Sequence, residues 1–236
     1  MSEPATSAPR VDLLRGLIEG TTDPAEAEQS LREIQAELAA FRLEYSCGME
    51  EVATKINILR QEFEQTQDFG PIEHVKTRLK SMDSLVDKMR RIDCPPDLVT
   101  VRERIRDIAG IRVTCAFVED TYRVAEMLTR QPDLTVLETK DYIATPKANG
   151  YQSLHLIVEV PVFLSDRSIN VPVELQIRTI AMDFWASVEH RIYYKYDGAV
   201  PDDLQQALLT VASTASDLDG QMGRLRDEIQ SLATSE

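Results

Sequence analysis

Glu174, Gln176 and Arg178 occupy every second position of the run VPVELQIRT, and Val171, Val173, Leu175 and Ile177 occupy the positions between. This period-two alternation is that of a half-buried strand: one face belongs to a core, and the other presents an acid, an amide and a guanidinium on a rigid element. A carboxylate held in this way can take a proton from a hydroxyl or bind a hard cation. An edge strand with a merely solvated polar face would show the same alternation. Directly after it, Ile180, Phe184, Val188, Ile192 and Tyr196 recur four apart, which predicts an amphipathic helix with these residues as its apolar stripe.

Other groups of the same kind stand elsewhere. Asp107 precedes a second alternating run, with Ile111, Val113, Cys115 and Phe117 on one face and Arg112 and Thr114 on the other. The pattern predicts a strand with Asp107 at its loop end, where a carboxylate can reach a metal-bound substrate from a fixed backbone. Lys76, Arg78 and Lys80 alternate along a short extended segment, and Ser84, Lys88 and Arg91 follow at helical spacing. Pro146, Asn149 and Gly150 form a turn presenting Lys147 and Tyr151, after which Ser153, His155 and Ile157 share a strand face. Taken singly, Tyr151 reads as a packed loop aromatic and His155 as a hydrogen-bonded structural residue as readily as ligand groups.

Charge narrows the choice. The chain carries a formal net charge of −14, yet from Lys76 to Arg112 ten Lys/Arg stand against six Asp/Glu. A basic island in an acidic chain is either a solvated face or a site for a small polyanion. A general nucleic-acid binder or an anionic-membrane binder would need an extended basic field. Two carboxylates, Asp107 and Glu174, together with an imidazole and several cations on the polar faces of different strands, suit Mg²⁺, hydroxyl activation and phosphate, so the expected ligand is a nucleotide. None of the nine glycines forms a G-x-x-x-x-G-K-[ST] or G-x-G-x-x-G motif, which excludes a P-loop and a Rossmann site.

The elements that must position these groups follow from composition and period. With 236 residues, 43% apolar and 28% charged, the chain can bury a full core. Residues 1–21, rich in Ser, Ala, Pro and Thr, read as a flexible tail. A helical segment spans 22–67, with Asp23 as cap, Pro24 and Glu26 behind it, and an apolar stripe from Leu31 to Phe63; Gly48 is a candidate break between two helices. The turn Asp68 to Pro71 opens a core over 68–200. Over 201–236, Leu204, Leu208, Val211, Ala215, Leu218, Met222, Leu225, Ile229 and Leu232 form a heptad seam on C-terminal helices, which needs a partner surface. Cys47, Cys94 and Cys115 lack C-x-x-C spacing and read as reduced thiols. No stretch approaches the roughly 18 apolar residues of a membrane span, and nothing directs the chain out of the cytoplasm.

Four motifs in order, RIRDIAGIR, KDYIATPKANGYQSLH, VELQIRT and FWASVEHRIYYKY, resemble the synthetase domain of the Rel/Spo alarmone enzymes, specifically the stand-alone small alarmone synthetases. The resemblance implies an α/β (α+β) fold, a nucleotidyltransferase-like mixed β-sheet flanked by helices. It also implies Mg²⁺-dependent transfer of the β,γ-pyrophosphate of ATP to the 3′-hydroxyl of GDP or GTP. By the same resemblance Asp107 is a Mg²⁺ ligand, and Glu174 activates the hydroxyl and helps hold the metal. Arg78 and Arg112 sandwich adenine, and Lys80, Ser84, Lys88 and Arg91 hold the ATP phosphates. Tyr151 stacks on guanine, with Lys140, Lys147, His155 and Gln176 around the acceptor. A homotetramer joined through the C-terminal helices is implied, with (p)ppGpp as an allosteric ligand. Two departures stand out: Gln152 follows Tyr151 where small synthetases commonly carry Arg, and Glu138-Thr139-Lys140-Asp141 mixes the two tetrads of the long enzymes. No His-Asp pair of a hydrolase domain occurs, and no Gly-Ser of a template-type nucleotidyltransferase. A non-catalytic nucleotide or RNA sensor of this fold would have lost Asp107 or Glu174.

Overall fold

In the computed structural model, which describes residues 24–66, 70–196 and 200–233, the alternating run around Glu174 is strand β5 (Ser168–Thr179), followed without a break by helix α5 (Ile180–Lys195). Before them come α1 (Pro24–Thr66), β1 (His74–Leu79), α2 (Met82–Arg91), α3 (Leu98–Arg104), β2 (Ala109–Cys115), α4 (Val118–Thr129), β3 (Thr135–Asp141) and β4 (Leu154–Phe163); α6 (Asp202–Ala233) closes the chain. The strands form one sheet in the order β1-β2-β5-β4-β3. β5 lies parallel to β2 and antiparallel to β4, so the sheet is mixed and β5 is its centre.

The apolar face of β5 drives the packing. Val171, Val173, Leu175 and Ile177 are fully buried in one cluster with Phe41, Tyr45, Val52 and Ile56 of α1 and Val124 and Leu128 of α4. Each such side chain contributes about 1.5–3 kcal/mol relative to exposure, so this face is committed to the core and the opposite face is left for polar groups. Short caps shape the basic helix and the segment after it. Ser81 accepts from Ser84 N–H at the start of α2, and Asp97 accepts from Thr100 N–H at the start of α3.

Three expectations change. Gly48 does not break the first helix, because α1 runs uninterrupted from Pro24 to Thr66. A Cβ at Gly48 would come within 2.6 Å of Val171 Cγ1, so the glycine lets α1 lie directly on β5. In α5 the buried residues are Met182, Trp185 and Ala186, whereas Ile180 and Phe184 are exposed at 53% and 66%. The reason is α6: Trp185 packs with Leu208 and Ala212, and its indole N–H donates to Leu208 O at 2.9 Å, which turns Ile180 and Phe184 outward while Ile192, further along the same stripe, still packs against this cluster. Finally, the C-terminal seam lies on a single helix, and from Leu218 through Met222, Leu225 and Ile229 to Leu232 it is exposed. Residues 1–21, the cap Asp23, and Asp68 and Phe69 of the expected turn lie outside the described residues. Cys47, Cys94 and Cys115 are free. No described helix is long and apolar enough to cross a membrane.

Candidate active site

Strand register turns five separate alternations into two rows across one face of the sheet. In one row Lys76, Arg112, Gln176, His155 and Lys140 are successive partners from β1 to β3. In the neighbouring row the sequence is Arg78, Gly110, Glu174, Ile157 and Glu138. Adjacent strands lie about 4.8 Å apart, so cations from β1 and β2 approach the central strand from one side and the groups of β4 and β3 from the other. Beside Glu174 stand Gly110, which has no side chain, and Ile157, which is buried and apolar. The gap over Gly110 is a pocket of about 440 Å³ lined by Lys76, Arg78, Lys80, Asp107, Arg112, Glu174 and Gln176 among others. A larger cavity of about 730 Å³ between α1, α2 and α3 is mostly apolar and holds none of these groups. The charges, rather than the volume, identify the site.

Asp107 receives Lys80 Nζ at 3.0 Å on Oδ2 and Lys88 Nζ at 2.6 Å on Oδ1. The Lys88 contact is an ion pair out of hydrogen-bond alignment, and Oδ1 is buried without a hydrogen-bond partner. Burial alone would raise the Asp107 pKa, but the two ammonium groups outweigh it and hold the carboxyl below its ordinary range. Glu174 behaves alike. Burial and the charge of Asp107 push it up, and the contacts from His155 and Gln176 pull it further down, so it too is held ionised. Two ionised carboxylates close enough to repel are a donor set suited to a hard divalent cation such as Mg²⁺.

Around Glu174 the hydrogen bonds form a closed circuit. Arg178 can only donate. Its Nη2 donates to Gln176 Oε1 at 2.9 Å, which turns the Gln176 amide so that Nε2 donates to Glu174 Oε2 at 3.0 Å. Nη2 also donates to the Tyr151 hydroxyl, which lies 2.7 Å from His155 Nε2. With its proton on Nδ1, the tautomer that faces Glu174, His155 donates to Glu174 Oε1 at 3.3 Å and accepts the Tyr151 hydroxyl proton at Nε2. Both arms end by donating to the same carboxylate. Lys147 Nζ lies 4.8 Å from the Tyr151 ring centroid and 4.4 Å from that of Tyr142, which stands edge-on to both Tyr151 and His155. Gly150, at φ 87°, supplies the left-handed position that turns the chain into Tyr151.

Of the residues the sequence singles out, Arg78, Lys80, Arg112, Asp107, Glu174 and Gln176 line the pocket. Lys88 joins them through Asp107, and Tyr151 and His155 through the circuit. Lys140 pairs at 2.9 Å with Glu138, which stands two residues before it on the same face of β3. Ser84 and Arg91 do not line the pocket: the Ser84 hydroxyl is bonded to Ser81, and Arg91 is exposed at the end of α2. Sequence reasoning placed Arg178 on the polar face without a role and missed Asp183 and Tyr142. The period-two pattern was the signal for Arg178. Asp183 had none, since its partners Arg178 at 3.2 Å and Arg112 at 3.0 Å meet it only in three dimensions.

Residues 77–199 match the family described as the region found in RelA / SpoT proteins, and the chain belongs to that family. It is 46% identical over 187 residues to the GTP pyrophosphokinase YwaC of Bacillus subtilis, covering 79% of this chain and 89% of that protein. The GTP pyrophosphokinase YjbM of the same organism is 40% identical, covering 80% and 89%. Among solved structures, small alarmone synthetase 1 from Bacillus subtilis bound to its product pppGpp superposes with a TM-score of 0.77 at 39% identity, covering 82% of this chain and 98% of that one. The same synthetase bound to AMPCPP gives a TM-score of 0.71 at 36% identity, covering 83% and 98%.

Proposed function

We propose that this protein is a (p)ppGpp synthetase that moves the β,γ-pyrophosphate of ATP to the 3′-hydroxyl of GDP or GTP, forming ppGpp or pppGpp and releasing AMP. The observation that carries the reading is the ionised pair Asp107 and Glu174 at the centre of a face whose β1–β2 side is cationic and whose β4–β3 side is the Tyr151–His155 circuit. Glu174 takes the proton as the 3′-oxygen bonds to the β-phosphorus and the bond to the α-phosphate oxygen breaks. Lys80, Lys88, Arg78 and Arg112 offset the charge that develops on the transferred group. Asp107 and Glu174 would hold Mg²⁺, which supplies charge neutralisation at the phosphates. Phosphate oxygens then compete with Asp107 for Lys80 and Lys88. Tyr151 offers guanine a flat face, and Lys140 and Lys147 stand for the acceptor phosphates. Degradation of the product is not part of the activity.

Incubating the pure protein with ATP, Mg²⁺ and either GDP or GTP and resolving the nucleotides is the test. AMP and (p)ppGpp appear together in equal amounts if the reading holds, and Asp107→Asn abolishes both; no 3′-pyrophosphorylated product sinks it. Adding pppGpp to the same assay reads the allostery that the resemblance implies. The exposed seam of α6 supports assembly of identical copies into a homotetramer, because an unpaired row of large apolar side chains needs a covering surface. Light scattering on Leu218→Glu with Leu225→Glu checks this: the mass falls from the parent's if the seam joins copies. ATP and GTP as substrates and free thiols fit a cytoplasmic location.

A further inference from the structure

Arg178 and Asp183 touch both halves of the site and have no part in the chemistry above. Arg178 is 4% exposed, and all of its nitrogens are engaged: Nε donates to Ser153 Oγ at 3.3 Å, Nη1 to Asp183 Oδ1 at 3.2 Å, and Nη2 to Tyr151 and Gln176. Its guanidinium carbon also lies 5.0 Å from the Tyr151 ring centroid. The oxygen that receives Arg178 is the one that receives Arg112 Nη1 at 3.0 Å. A single carboxylate oxygen thus lies between a guanidinium committed to the Tyr151 side and one that lines the cationic pocket. Arg178 is next to last in β5 and Asp183 lies in the first turn of α5, so an uninterrupted strand-to-helix junction fixes their separation.

Arg112 has reason to move. Its Nε is buried with no hydrogen-bond partner, while its side chain as a whole is 35% exposed toward the pocket. A ligand that engages Arg112 withdraws it from Asp183, and the released oxygen then belongs to Arg178 alone. Arg178 in turn fixes the Tyr151 hydroxyl and the Gln176 amide. We propose that Asp183 and Arg178 are positioning residues forming a relay that couples the two nucleotide subsites, so that filling the ATP side sets the groups that receive the acceptor. The inference rests on the proposed function for which nucleotide lies on which side; the relay itself rests on the shared oxygen.

Coupling of this kind is reciprocal and commonly amounts to about 5–150-fold in affinity. The test is calorimetric titration of GDP into the protein with and without saturating AMPCPP, and the reverse, so that no turnover is needed. In the parent each nucleotide is expected to change the affinity for the other by about fivefold or more, and by the same factor in both directions. In Asp183→Asn that factor falls to within twofold of unity. In turnover, Asp183→Asn raises KM for the acceptor but not for ATP, because Arg112 no longer has to leave Asp183, whereas Arg112→Ala raises KM for ATP whether or not Asp183 is changed. Arg178→Lys keeps the charge but loses the fork, so it also loses coupling; it decides the matter if Asp183→Asn does not fold. A parent without coupling, or an Asp183→Asn variant that keeps the parent's factor, overturns the relay. An active parent without coupling overturns the relay alone, and a parent that binds neither nucleotide overturns the proposed function as well.

Discussion

Replacing Glu174 by Gln separates the two tasks of this side chain, and the circuit around it sets the size of each effect. The amide keeps the volume but cannot take the 3′-hydroxyl proton; loss of a general base is typically worth about 10²–10⁴ in rate, or about 3–5.5 kcal/mol in the barrier. The effect on folding is far smaller. His155 Nδ1–H and Gln176 Nε2–H both donate to Glu174, and an amide can accept only one of them while presenting N–H to the other. Gln176 cannot turn over without facing its own N–H to Arg178, which has no acceptor. The cheaper adjustment is at His155, which moves its proton to Nε2, because the Tyr151 oxygen can accept from both Arg178 and His155. One hydrogen bond is rearranged in a half-buried site, about 0.5–1.5 kcal/mol, partly offset by removal of a buried charge. Glu174→Gln should therefore lose at least about a hundredfold in pppGpp formation while its melting temperature stays within about 4 °C of the parent's. Chromatographic quantification of product at saturating ATP and GTP, with a thermal melt on the same sample, is the assay. Product formation within threefold of the parent refutes the base assignment, and a collapse in melting temperature refutes the circuit as drawn.

Gly110→Ala tests the gap beside Glu174. The added methyl meets only Arg78 O at 3.7 Å and Glu174 O at 3.9 Å, so the strand should gain about 0.5–1 kcal/mol while the rate drops tenfold or more because the pocket is partly filled; parent-like turnover in a folded variant would count against that pocket. Asp219 accepts a hydrogen bond from Thr179 at 2.7 Å in a buried place that raises its pKa, chiefly by desolvation. A raised carboxyl favours the fold below its unfolded pKa and loses that advantage as pH rises through the folded value, so at neutral pH its charge is a cost. Asp219→Asn, which still accepts from Thr179, should raise the melting temperature at pH 7 by about 2–4 °C and by less near pH 4; a lower melting temperature at pH 7 argues against this. The ion pair Glu138–Lys140, with side chains 40% and 50% exposed, partly cancels at the place proposed for the acceptor phosphates. Competition between GDP and GTP should show a preference under about tenfold, Lys140→Ala weakening both and Glu138→Ala moving the balance toward GTP. An unmoved balance in Glu138→Ala would show that Glu138 does not face the phosphates.

Much of the site was legible because it is written in periods. Alternation around Glu174, Arg112 and Lys76 assigns each side chain to a face within its own strand, and steric orientation at period two needs no tertiary context. The basic island and the turn into Tyr151 are local in the same sense. Where tertiary contacts compete with a local pattern, the pattern lost: the start of the four-residue stripe of α5 yielded to Trp185 once α6 arrived, and Gly48 proved to be a point of close approach to Val171, which local propensity cannot report.

The sequence by itself determined which residues share a face and what chemistry they could do. It did not determine that Lys76, Arg112, Gln176, His155 and Lys140 form one row, because sliding a strand by two residues preserves every face and changes every partner. Strand order and register are set by long-range burial: α1 against Val171 and Val173, and α4 against the same core. Only that packing brings Asp183 between Arg112 and Arg178, and Arg178 between Tyr151 and Gln176. Hydrogen bonds act over about 3 Å, so the direction in which protons point at Glu174 was decided by the fold.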